Sequence, residues 1–272
     1  MKKALLVVGI VLISGSLAFA GSDVKGAIIN KSDVKGAANI AMGKGATADM
    51  GTVKMKDSSL KGAIINQSSV KGAANIAMGQ GAKAQMGTVD MNKSSVKGAI
   101  INQSDVKGAA NIAMGKGATA QMGTVSMDKS DLKGAIINKS SVKGAANIAM
   151  GKGATAQMGT VSMNKSNVKG AIINQSDVKG AANIAMGQGA KAQMGTVSMD
   201  QSDLKGAIIN KSSVKGAANI AMGKGATARM GTVDMSKSSV KGAIINQSDV
   251  KGAANIAMGQ GAESNMGSVV LE

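Results

Sequence analysis

The sequence predicts an all-β fold, a β-solenoid of stacked coils. Three observations carry that reading. The stretch "KGAANIAMG" begins at Lys35 and returns unchanged at Lys71, Lys107, Lys143, Lys179, Lys215 and Lys251, 36 residues apart each time. Within each unit, apolar or small residues alternate with others at period two, the spacing of a strand. Paired glycines and the lack of an i, i+3, i+4 apolar stripe argue against an Ala-rich helix. Units that cannot bury a core alone do so by stacking on their neighbours.

The chain opens with residues 1–20, "MKKALLVVGIVLISGSLAFA", which read as a secretory signal peptide. Lys2 and Lys3 form its basic end, Ala4 to Ile13 its apolar stretch, and Ala18-Phe19-Ala20 a small-x-small cleavage site. The mature chain is expected to start at Gly21. The apolar run is short for a membrane span, so none is expected in the mature chain. No Cys is present, so neither a lipid anchor on Cys nor a disulfide framework is expected. Cleavage would also remove Phe19, the only aromatic residue. Thin columns of small residues and Met must then replace the usual ring-filled core.

Residues 21–272 form one repeat domain. Its units are 22–57, 58–93, 94–129, 130–165, 166–201, 202–237 and 238–272. Each unit holds three segments, written in the second copy as "LKGAIINQ", "VKGAANIAMG" and "GAKAQMGTVDM". In the middle segment Val70, Gly72, Ala74, Ile76 and Met78 share one parity. In the last segment Ala82, Ala84 and Met86 share one parity and Val89 and Met91 the other. The phase slips near Gly87, as a bulge or corner requires. Gly79-Gln80-Gly81 and Asn66-Gln67-Ser68 supply turn residues.

Stacking puts equivalent residues about 4.8 Å apart, so each coil wants the same residue at the same place. Two Asn columns are candidate amide ladders. One runs through Asn39, Asn75, Asn111, Asn147, Asn183, Asn219 and Asn255, the other through Asn30, Asn66, Asn102, Asn138, Asn174, Asn210 and Asn246. One coil per unit gives seven coils and a stack of roughly 34 Å. Charges avoid stacking where they can. The column Asp33, Ser69, Asp105, Ser141, Asp177, Ser213, Asp249 alternates, which doubles the spacing of like charges.

Without Lys2 and Lys3 the chain carries 30 basic residues against 15 acidic, a charge of +15. That balance favours anionic partners such as polysaccharide, lipopolysaccharide or DNA, although it contains no specific nucleic-acid motif. Two columns are candidate binders. They are Lys25, Lys61, Lys97, Lys133, Lys169, Lys205 and Lys241, and Lys35, Lys71, Lys107, Lys143, Lys179, Lys215 and Lys251.

Little points to catalysis. Ser-x-x-Lys fills two equivalent places in each of the seven units, beginning at Ser22 and Lys25, whereas enzymes use such a pair once, in a single pocket. Gly43-Lys44-Gly45 lacks the Ser or Thr of a phosphate loop. Asn30-Lys31-Ser32 matches a glycosylation sequon, but behind a bacterial-looking signal. His and Cys are absent, so thiol chemistry and ordinary metal sites are not expected. The expectation is a protein that is not an enzyme and takes no cofactor. Met42, Met50 and Met55 begin columns read as core, not as soft copper ligands. The Thr52, Thr88, Thr124, Thr160, Thr196 and Thr232 column is regular, but too narrow for an ice-binding face.

Two resemblances bear on function. Asn75-Ile-Ala77-Met-Gly-Gln80 is similar to the half-repeat of curli-type amyloid subunits, in which Asn, Ala and Gln recur. Here the Ala-to-Gln spacing is one residue shorter, Gln is often Lys, and the curlin aromatics are missing. "IAMGQGAKAQMGTV" looks like the head repeats of trimeric autotransporter adhesins, with one residue added before Gly87. No coiled-coil stalk or membrane barrel of those adhesins is read here. Both resemblances imply an extracellular β-solenoid. The leading expectation is a secreted, self-assembling fibre subunit of a bacterial matrix or cell surface, its partner another copy of itself. The alternative is a discrete adhesin that holds anionic polymers. Residues 263–272, "ESNMGSVVLE", depart most from the repeat and mark either a cap or simply the end of the stack.

Overall fold

The computed structural model describes residues 7–8, 11–13, 17–21, 23–36 and 38–271, without the side chains of the first seventeen residues or of Phe19. These residues form strands and turns only, with no helix that could cross a membrane. Three short strands come first: β1 (Val7–Val8), β2 (Val11–Ile13) and β3 (Leu17–Ala20). The first full coil follows as β4 (Asp23–Lys25), β5 (Ile28–Lys35), β6 (Ala38–Met42), β7 (Thr47–Met50) and β8 (Val53–Lys56). Each later unit repeats these five strands. The last coil holds Ser239–Lys241, Ile244–Lys251, Ala254–Met258, Glu263–Met266 and Val269–Leu271.

Every coil pairs in parallel with the next, in a register one repeat long. Asn66 lies opposite Asn102, Ile76 opposite Ile112, and Met91 opposite Met127. Five parallel sheets therefore run the length of a β-solenoid with one coil per 36-residue unit. The stretch "KGAANIAMG" is invariant because its side chains pack on copies of themselves in the coils on either side.

The core is divided into three strips. The largest is lined by four columns, those of Ile28, Val53, Met55 and Val24, the last alternating with Leu60 and its copies. A second is made of alanine alone, as at Ala77, Ala82 and Ala84. A third combines Met86, Val70 and Ala73 with their copies. Small residues let facing sheets approach closely, and Met fills what remains.

Glycine is demanded where coils touch. A Cβ on Gly62 would lie 1.9 Å from the carbonyl oxygen of Gly26 in the coil before it, and the same contact recurs at Gly134 against Gly98. Gly87 turns the chain at φ +62°, and here the inward parity slips as expected: Ala82, Ala84 and Met86 are buried before it, Val89 and Met91 after it. The last residue of each of the first six units also adopts a left-handed conformation, and it is Lys93, Lys129, Lys165 or Lys237 in four of them.

Several expectations are corrected. Asn66-Gln67-Ser68 is no turn but the middle of the strand Ile64–Lys71, since each of these residues pairs in register with a copy. "VKGAANIAM" is not one strand. Val70 and Lys71 end one strand, Gly72 turns at φ +58°, and Ala74–Met78 starts afresh. The turn shifts the phase, so Asn75 and Ala77 point inward while Ile76 and Met78 sit half-buried outside. The Met42 column is therefore not core, unlike the Met50 and Met55 columns. Three segments per unit resolve into five strands, because Gly26 and Gly36, with their copies, each turn the chain.

Candidate functional site

The ladders come first, because they dictate how coils join. Asn75 is fully buried, and its Nδ2 donates to Asn111 Oδ1 at 2.9 Å, to the Gln85 carbonyl at 2.9 Å and to the Ala48 carbonyl at 3.0 Å. The same arrangement recurs at Asn111, Asn147, Asn183 and Asn219. The other column, from Asn30 to Asn246, repeats a 2.9 Å amide-to-amide bond at every step. Inward Asn at these places ties Ala74–Met78 and Ile64–Lys71 to the backbone across the core. A buried amide demands such partners, and only another Asn supplies the axial one.

Both ladders have a direction. In each, the earlier coil donates to the later one. The ends are thus chemically opposite. Asn30 Oδ1, in the first coil, is buried without a partner. Asn246 and Asn255, in the last coil, donate only to backbone carbonyls, because no further amide lies beyond them.

The coil ends are also open as sheet edges. No described strand covers the outer edge of the last coil, and Ile256, Met258, Met266, Val269 and Leu271 are exposed there. At the other end, β6 and β7 have no strand before them among the described residues, and Ile40 and Met42 are 56% and 74% exposed. In interior coils the copies of these two residues are half-buried, so stacking is what covers them.

A second ladder type was missed in the sequence. Gln85 donates to Gln121 at 2.7 Å, Gln121 to Gln157 at 2.8 Å, and Gln157 to Gln193 at 2.9 Å. Its ends carry charge pairs across the same corner. Asp49 bonds Lys54 at 2.6 Å in the first coil, and Arg229 bonds Asp234 in the sixth, almost fully buried. Covariation at i and i+5 was the available signal: Asp49 with Lys54, Gln85 with Asp90, Gln with Ser in the next three units, and Arg229 with Asp234. Burial pushes the Asp49 carboxyl above its ordinary value, against the hydrogen bond and charge of Lys54, which lower it.

All fourteen Lys of the two candidate columns are exposed, and they stack in register, Lys61 on Lys97 and Lys71 on Lys107. The two columns differ. In the Lys35 column every second Lys meets an Asp two residues before it, at 3.3 Å for Lys35, 3.2 Å for Lys107 and 3.4 Å for Lys179. Alternation of Asp and Ser therefore leaves Lys71, Lys143 and Lys215 next to Ser instead of Asp. Beside this column a shallow groove of about 1190 Å³ runs along the stack between Gln67 and Ser69 and their copies. The Thr52 to Thr232 column is fully buried, so it presents no face to ice. No group of three or more acidic, His or Cys residues is gathered for a metal among the described residues.

These features define a class: a parallel β-solenoid whose coils are joined by directional amide ladders that end differently at the two ends of the stack. Comparison takes the chain no further than that class, since no family model, curated protein or solved structure matches it.

Proposed function

We propose that this protein is the secreted subunit of a self-assembling fibre, part of a bacterial extracellular matrix or cell surface, as its resemblance to curli-type subunits implies. One observation carries the reading: the last coil is open along its edge, the first is open at β6 and β7 and is otherwise met only by strands of residues 7–20, and the two end their ladders in opposite chemistry. Donors without a next acceptor lie at one end, and an acceptor without a donor, Asn30 Oδ1, lies at the other. A last coil docked on a first coil would continue every column. Asn246 would meet Asn30, Asn255 would meet Asn39, and Val250 would meet Val34. Such head-to-tail contact does not close on itself, so it generates a filament.

The test is to hold residues 21–272 at neutral pH and follow assembly by electron microscopy and fibre diffraction. Filaments with a reflection near 4.8 Å along the axis are expected. A stable β-rich monomer that never polymerises would refute the reading. The second reading would then stand: a discrete adhesin that holds anionic polymers on the Lys25 and Lys35 columns. The in-register exposure of those columns supports it. Salt separates the two readings, since screening weakens charge-driven binding and relieves Lys–Lys repulsion in a fibre.

A further inference from the structure

We propose that β1, β2 and β3, while the 1–20 segment is still attached, occupy the face of the first coil that a second copy would take, and so make the uncleaved chain a terminator of fibre growth. This rests on the fibre reading above. Three of the five sheets begin not in the first coil but in this segment. β1 pairs with β4, β2 with β5 and β3 with β8, all parallel, as another coil would. Backbone pairing of this kind accepts any chain rich in β-branched residues, and Val7, Val8, Val11 and Ile13 supply them.

The fit is incomplete in two ways, and both keep the segment displaceable. It is shorter than a coil. Val7 lies opposite Val24, seventeen residues on, whereas Leu17 lies opposite Val53, a full repeat on. β6 and β7 are left uncovered, with Ile40 and Met42 in solvent. It also places Ile13 opposite Asn30, where a docking copy would place Asn246. An Ile side chain has no amide to donate, and Asn30 Oδ1 is left without a partner. The true coil satisfies the ladder and the segment does not.

The consequence is asymmetric. An uncleaved chain has an open last coil and an occupied first coil. Its last coil can dock on the first coil of a growing fibre, and its own segment then stands at the new end. Growth at that end stops, while the opposite end, which offers a last coil, is unaffected by it. Removal of the segment would be the step that licenses elongation.

The experiment compares residues 21–272 with the full chain 1–272, both labelled, in a two-colour microscopy assay on preformed fibres of the mature chain. Mature protein is expected to extend both ends, and the full chain alone to form no fibres. Full chain added at a tenth of the mature concentration is expected to slow one end at least tenfold and to spare the other. The variant Val11→Pro with Ile13→Pro removes strand donors from β2 and should restore growth at both ends. Hydrogen exchange of the β4, β5 and β8 amides gives a second readout, with greater protection in the full chain than in the mature one. Full chain that extends both ends at the mature rate, or β5 amides equally protected with and without the segment, would overturn the inference. If the mature chain forms no fibres, the fibre reading falls, and terminator activity falls with it. Hydrogen exchange then still decides whether the segment docks.

Discussion

The Asn ladder makes a quantitative claim about coupling between coils. Asn147 is fully buried and sits mid-stack. Its Nδ2 donates to Asn183 Oδ1 at 2.8 Å and to the Gln157 carbonyl at 2.9 Å, and its Oδ1 accepts from Asn111 at 2.8 Å. Asn147→Leu keeps the size but removes every one of these bonds. It leaves Asn183 Oδ1 without its donor and Asn111 Nδ2 with only its carbonyl partners. Each buried orphan costs roughly 1–3 kcal/mol, so the single variant should lose about 3–5 kcal/mol. Asn183→Leu should cost a similar amount. The double variant loses their shared bond only once, so it should cost about 1–2 kcal/mol less than the sum. Asn75→Leu with Asn183→Leu, three coils apart and without a shared partner, should add within about 0.5 kcal/mol. Urea denaturation followed by circular dichroism, at concentrations below assembly, measures all of these, provided the slope m stays constant. Strict additivity for the adjacent pair would refute the ladder as an energetic unit. So would a loss under about 1 kcal/mol for Asn147→Leu, the value expected of an ordinary exposed site.

Four further outcomes follow from single positions. Gly134→Ala places a Cβ 1.9 Å from the Gly98 carbonyl oxygen and should block folding of that coil, whereas Gly144→Ala, with open space and φ +56°, should cost only about 1–2 kcal/mol; comparative thermal melts check both. Lys129 sits at φ 49°, so Lys129→Gly should stabilise by up to about 1 kcal/mol in the same melts. Asp49 has a folded pKa above the ordinary 3.8, so the folded state holds its proton more tightly than the unfolded chain does. The stability it contributes is therefore present below 3.8 and lost as pH rises through the folded pKa, and Asp49→Gln should flatten that descent in a pH series of urea melts and extend the Gln ladder by one rung. In a head-to-tail joint Asp249 would meet Asp33, which breaks the alternation kept inside the stack, so Asp33→Ser should speed fibre growth in low salt and change little in high salt.

Much of this architecture was legible because stacking writes itself into the sequence. A repeat held at 36 residues favoured one coil per unit over two, and the phase slip at Gly87 marked a corner at the right place. What misled was the habit of ranking side chains by size and polarity. Ile76 and Met78 outrank Asn75 and Ala77 in hydrophobicity, yet they face out. The strip between Ala74–Met78 and the facing Lys83–Met86 admits only Ala and a ladder amide, and any larger side chain there would force the sheets apart. Polarity failed the same way at Asn66-Gln67-Ser68, since polar residues mark turns only when their groups seek water or local backbone. In the stack Asn66 donates to Asn102 and Gln67 to Gln103, one coil on, so these amides find partners inside a strand, while Ser68 Oγ is buried with none. The Arg229–Asp234 pair was hidden for a related reason. It crosses a corner, so its members lie five residues apart, a spacing that neither strand nor helix periodicity inspects. A solenoid is read best by columns between repeats, and along the chain only at its corners. By the same logic the ends of the stack differ most from its interior, because a column that stops there leaves Asn30 Oδ1 without the donor that every later Asn of its column has.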